Sequence, residues 1–182
     1  VSVYGIAEAL VSDLVSLFVA DPFGYQLFNP MTWAQPLWKT IKHLNKFGNL
    51  GSGLLSETCS NMLLQSLGEN DLLYNAITST QVDTSFPETK LGAQLETIAK
   101  LIKSKDTRGT DRDIFYARHG SFDTHGNTKS TFNTFNTEMN ASLEAFTTEM
   151  KAQGVWYDVT IVGVSEFGRT LTMNSATRSD HA

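Results

Sequence analysis

One cysteine, Cys59, stands among 182 residues, so no internal disulfide and no thiolate metal cluster is available. It is read as a small hydrophobe packed into a core. Basic residues are in deficit: 14 Lys and Arg against 19 Asp and Glu leave a formal charge of -5 and no basic face for a phosphate backbone. Nucleic acid is therefore excluded as a partner. Long apolar runs are lacking too, since the best stretch, residues 14–20, falls far short of the ~18–20 residues of a membrane-spanning helix. The sequence opens at Val1 without a methionine or a charged-then-apolar export signal. It stops at Ala182, just after the polar pair Asp180 and His181, and both ends are read as truncations.

What is present is a 41% hydrophobic, 10% aromatic composition that can bury one substantial core. Ile6, Leu10, Leu14 and Phe18 fall four apart and suggest a helix. Region 21–53 holds three of the four prolines and reads as loop, with a short helix over 38–44 in which His43, between lysines, is a surface residue. Leu55, Cys59, Met62 and Leu63 form one apolar stripe, and Leu72, Leu73, Ala76 and Ile77 a second after Gly68. These predict a helical hairpin. Residues 1–85 are thus a mainly helical and loop region, read as an insertion beside the core.

Residues 86–182 are clearer. Leu91, Leu95, Ile98 and Ile102 make a regular stripe on one helix. Phe132, Phe135, Met139, Leu143, Phe146 and Met150 recur at spacings of three and four over 130–153, where Gly154 supplies the C-cap. Residues 114–117 and the β-branched run at 159–164 read as buried strands on either side of that long helix. Strand, helix and strand predict a βαβ unit, with the aromatic stripe buried against a parallel sheet.

Such a crossover places the carboxyl ends of both strands on one sheet edge, where open α/β sheets bind ligands. Past the first strand come His119, Asp123 and His125; past the second come Glu166 and Arg169; Asp180 and His181 follow a short loop. Carboxylates and imidazoles without cysteine suit a hard or borderline divalent cation such as zinc or manganese. The plainer alternative is that Asp123 caps a turn, His125 and His181 are solvated, and Glu166 pairs with Arg169. Arg118 is expected to reach solvent, and the glycosylation pattern beginning at Asn140 lies inside a helix and is given no role.

At these residues the chain resembles the DUF1501 family. Gly120-Ser-Phe-Asp-Thr-His125 resembles its Gly-Gly-Phe-Asp-Thr-His motif, Ser165-Glu-Phe-Gly-Arg-Thr170 matches its second motif unchanged, and Asp180-His181 resembles part of its Thr-Asp-His-Gly segment. Phe86-Pro87 and Leu91-Gly-Ala-Gln-Leu95 resemble the approach to the first motif. The resemblance implies a fragment of an alkaline phosphatase-like α/β fold, a parallel sheet flanked by helices with a helical N-terminal part. It implies a metal-dependent hydrolase of phosphate or sulfate esters, with Asp123, His125, Glu166, Asp180 and His181 as metal ligands and Arg169 orienting the anion. His119 is a further candidate ligand. Phe167 falls where relatives in that superfamily carry a histidine, which points to one divalent metal rather than two. The nucleophile is expected on earlier strands that this chain does not show. Family resemblance also implies a secreted, periplasmic or cell-surface location. The alternative is a non-catalytic secreted or cell-surface binding protein.

Overall fold

The computed structural model describes residues 35–45, 53–120, 122–124, 126–173 and 179–181, with the backbone alone at 35–38, 70, 173 and 181. The predicted helix at 6–18 lies outside the described residues. Among the described residues five α-helices run in order: α1 (Gln35–Leu44), α2 (Leu54–Ser79), α3 (Lys90–Lys103), α4 (Lys105–Arg108) and α5 (Thr128–Ala152). Two strands follow, β1 (Arg169–Met173) and β2 (Ser179–His181). The chain divides into two compact units, one running to Gln81 with Lys100–Tyr116, the other Val82–Ala99 with Ala117–Ala182.

The described part of the first unit is mainly helical. Lys42 on α1 pairs with Asp71 on α2 at 2.7 Å, and Leu67, Leu73 and Ala76 supply the buried face of α2. The helical hairpin expected over 55–77 is instead one continuous helix. Gly68 does not break it, because a glycine keeps its amide in the i→i−4 ladder and costs only about 1 kcal/mol against alanine. Cys59 is exposed rather than packed. His43 is exposed, as expected. Arg108 closes the loop after α4 by pairing with Asp113 and donating to the Leu101 carbonyl at 2.9 Å.

In the second unit α3 and α5 lie side by side. Thr89 caps α3, its Oγ1 accepting from the Gly92 amide at 3.0 Å. Gly92 is required there, since a Cβ would stand 2.2 Å from the Pro87 carbonyl oxygen. Thr89 also meets Ser142 of α5 at 3.4 Å, while Gln153 donates to the Ala99 carbonyl at 3.3 Å. Thr89, just before α3, therefore stands beside Ser142 of α5, and Ala99 of α3 beside Gln153, just past the end of α5. Gly154, at φ 75°, ends α5: the Val155 amide bonds to Met150 O and the Gly154 amide to Lys151 O, each at 3.0 Å.

The parallel α/β sheet expected from the sequence is not what the structure contains. Among the described residues, 114–117 yield only an isolated bridge at Tyr116 and 159–164 form no strand. Ile114, Val162 and Val164 are exposed. A β-branched run becomes a strand only when a neighbour takes up its amides and carbonyls, and β1 and β2, the strands that do pair, are antiparallel. The stripe on α5 is shifted in consequence. Phe146 is 3% exposed and Met150 fully buried, but Met139 is 37% exposed, and Ser142, Ala145 and Glu149 complete the buried face. Among the described residues there is no parallel sheet for α5 to cover, and its buried face combines small and polar residues with Phe146 and Met150.

Glu149 is fully buried. Its Oε2 accepts from the amides of Asp83 and Thr84 at 3.1 and 2.9 Å, and Oε1 accepts from Gln153 at 2.8 Å. Burial pushes this carboxyl up, but the hydrogen bonds from Gln153, Thr84 and Asp83 outweigh it and hold the pKa below the ordinary 4.5. A depressed folded pKa contributes stability that is present above the unfolded value and is lost as pH falls through the folded one. Glu149→Gln should therefore destabilise by about 1.5–3 kcal/mol at neutral pH, with the gap to wild type closing in denaturant melts as pH falls below that value. A gap that stays constant with pH would refute the ionised role. Packing gives a second expectation: Phe146→Ala should cost ~3–5 kcal/mol and half-exposed Met139→Ala clearly less, measured by the same melts. Equal losses would mean that the buried face is misplaced.

Candidate functional site

The first motif is seated on α3 and α5 by side chains that reach its backbone. Gln94, on α3 and 1% exposed, accepts from the Arg118 amide and donates to the Arg118 carbonyl, both at 2.9 Å. One buried amide thus treats residue 118 as a neighbouring strand would. His119 follows, its Nε2 bonded to the Phe135 carbonyl at 2.9 Å. The ring stands edge-on to Phe122 and Phe135, with centroids 5.7 and 5.5 Å away. Phe122 also packs against Phe132 and Phe135 at 5.5 and 5.1 Å. The aromatic positions at the start of α5 therefore hold the motif loop, where the sequence pointed to a sheet. Gly120 makes the turn at φ 68°, with Phe122 so close that an added Cβ would lie 2.9 Å from its ring.

Arg169 opens β1. Its Nη1 donates to the Ser179 carbonyl at 2.6 Å, and its Nη2 donates to the carbonyls of Phe122 at 2.9 Å and Thr124 at 3.3 Å. These last two bracket Asp123, whose Oδ1 is 3.7 Å from Nη2. The rings of Phe132 and Phe167 lie 5.8 and 5.4 Å from the guanidinium carbon. The hairpin places Arg169 opposite His181 in register, and the Asp180 amide donates to Thr170 Oγ1 at 3.1 Å. Segments 119–124, 165–170 and 179–181 thus meet around one guanidinium.

The side chain of Arg169 is 12% exposed and that of Asp123 47%. Glu166 and Asp180 are exposed on the neighbouring segments. His125 and the side chain of His181 lie outside the described residues. Among the described residues no three His, Cys, Asp or Glu side chains stand close enough to hold one ion. Carboxylates with imidazoles are a donor chemistry that would suit zinc or manganese, but the described side chains do not by themselves form such a set. An open depression of about 400 Å³ lies elsewhere, between Ser85, Phe86 and Pro87 and the Ala141 and Ala145 side of α5, and no motif residue lines it.

Sequence reasoning missed Gln94 and Glu149 as organisers. The signal for Gln94 was a polar residue in the middle of an apolar helical stripe, which a buried amide occupies only when its partners are fixed. Gln94→Leu should lower stability by ~1–3 kcal/mol, because both backbone groups of Arg118 lose their partner. Thermal or urea unfolding at wild-type level would show that water replaces the clamp.

Comparison with curated proteins and with solved structures gives no significant match. A family model does match, described as a protein of unknown function (DUF1501), over residues 89–182. That span covers just over half of the chain and holds all three motifs gathered around Arg169, and the chain belongs to the DUF1501 family.

Proposed function

We propose that this chain carries the metal-binding part of a hydrolase acting on phosphate or sulfate esters, in the manner of the alkaline phosphatase and sulfatase superfamily. One observation carries the reading: three separate motif segments, each bearing carboxylate or imidazole groups, are tied by Arg169 through Ser179, Phe122 and Thr124. Asp123, His125, Glu166, Asp180 and His181 would hold one divalent ion. When bound, such an ion polarises an ester and stabilises the negative charge that develops on it. Among the chain's own residues, Arg169 holds the backbone on either side of Asp123 and at Ser179, and so keeps the groups that would meet the ester in place. Phe167 packs on that guanidinium where an imidazole would serve a second ion, which favours one metal. A secreted, periplasmic or cell-surface setting belongs to the same reading. Among the described residues no helix is long and apolar enough to cross a membrane.

Phe167 also favours a second reading, a non-catalytic secreted or cell-surface binding protein, because it removes a ligand that two-metal chemistry needs. The two separate on Asp123→Asn. Under the hydrolase reading the full-length protein, with the earlier strands that carry the nucleophile, contains a stoichiometric divalent metal and turns over aryl phosphate, phosphodiester or aryl sulfate. The variant should then lose roughly 10–100-fold in metal affinity and its activity with it, read by elemental analysis and chromogenic assay. Metal retained without turnover on any of these esters would favour the binding protein. Unchanged metal affinity in the variant would sink the metal site itself.

A further inference from the structure

We propose that Arg169 is the positioning residue of this site, fixing the distance between the Asp123 loop and the Asp180 strand by holding both with one planar guanidinium. The inference deepens the metal-hydrolase reading and rests on it for what the positioning serves, but its geometry stands independently. Nη1 serves Ser179, next to Asp180 and His181, while Nη2 serves Phe122 and Thr124, on either side of Asp123. The carbonyls of two segments far apart in sequence are thereby set at the fixed separation of the two nitrogens. A lysine cannot do this, since its ammonium is a single point on a flexible stem, whereas the guanidinium presents donors in a rigid fork.

The arginine is held as firmly as it holds. Phe132, from the first turns of α5, and Phe167, from the segment before β1, lie within 6 Å of its carbon, and 12% exposure keeps water from competing for its donors. The edge that would grip an oxyanion bidentately is turned to the backbone carbonyls, and Nε is buried without a hydrogen-bond partner among the described residues. An arginine that clamps substrate directly leaves one of those edges open. Here both Nη groups are engaged by backbone carbonyls, so its part in the site is to place the groups around it. Asp123, at 3.7 Å and 47% exposed, sits at the margin of this arrangement: the loop backbone is fixed while the carboxylate remains at the surface.

The test compares wild type, Arg169→Lys and Arg169→Ala in the whole chain. Amide hydrogen exchange is read over 118–127, 170–173 and 179–181, with α3 and α5 as internal controls, and cobalt(II) titration is followed by its visible absorption. Charge-assisted bonds of this kind correspond to at least about a tenfold change in a local opening equilibrium each. Arg169→Lys should accordingly speed exchange in the motif loop and the hairpin by tenfold or more, with α3 and α5 unchanged. It should also weaken cobalt uptake and alter its spectrum, and millimolar ethylguanidinium should restore both in Arg169→Ala. Wild-type exchange in Arg169→Lys would overturn the proposal, since charge alone would then suffice. Exchange that rises equally across α5 would overturn it too, by making the residue a general stabiliser. If wild type takes up no cobalt, the metal reading falls, and the exchange measurement still decides whether Arg169 positions the two segments.

Discussion

The second unit depends on long polar side chains that pair backbone groups as a neighbouring strand would. Gln94 does so for residue 118, Glu149 for residues 83 and 84, and Arg169 for residues 122, 124 and 179. Each is a long polar side chain buried or nearly so, and each carries donors or acceptors paired to at least two backbone groups. Because Gln94 and Glu149 project from α3 and α5, the alignment of those two helices sets where the irregular segments can lie. Thr89 with Ser142 and Gln153 with Ala99 lock that alignment at two points. A motif loop with little regular structure is in this way tied to two rigid helices.

The helices were largely legible because their signals are local. The stripe from Leu91 to Ile102 and the one ending at Met150 mark α3 and α5, and Gly154 closes α5 where a left-handed residue is needed. Strands were not legible, because a β-branched run states only that it would fit a sheet; whether a partner lies beside it is a non-local fact. Val162 and Val164 read as core and are exposed. Conversely β1 and β2 went unread, although Arg169-Thr-Leu-Thr-Met173 alternates polar and apolar residues as a half-exposed strand does. Gly68 reads as punctuation in the sequence, yet α2 runs through it, because a lone helical glycine costs less than a broken ladder does.

The motif segments were legible as residue types and spacings, but the contacts that join their backbones were not. A sheet edge was expected to gather them; a guanidinium and an antiparallel hairpin do so. The phase of α5 shows the same dependence on partners. Phe132 and Phe135 belong to an apolar stripe in sequence, yet their rings serve His119 and Phe122, and the helix buries Ser142, Ala145 and Glu149 further along.

Burial separates the acidic residues into two kinds. Glu149 is enclosed, accepts three hydrogen bonds to its oxygens and titrates below its ordinary value, so removing it from those donors to bind an ion would leave two backbone amides and Gln153 without partners in a dry interior. It is a structural carboxylate. Asp123, Glu166 and Asp180 are exposed on segments whose backbones are fixed by other groups. Their side chains can change partners at little cost, while the loops that carry them stay in place. That division, paired backbone beneath exposed carboxylates, is what the proposed metal site would need in order to bind and release a charged ligand.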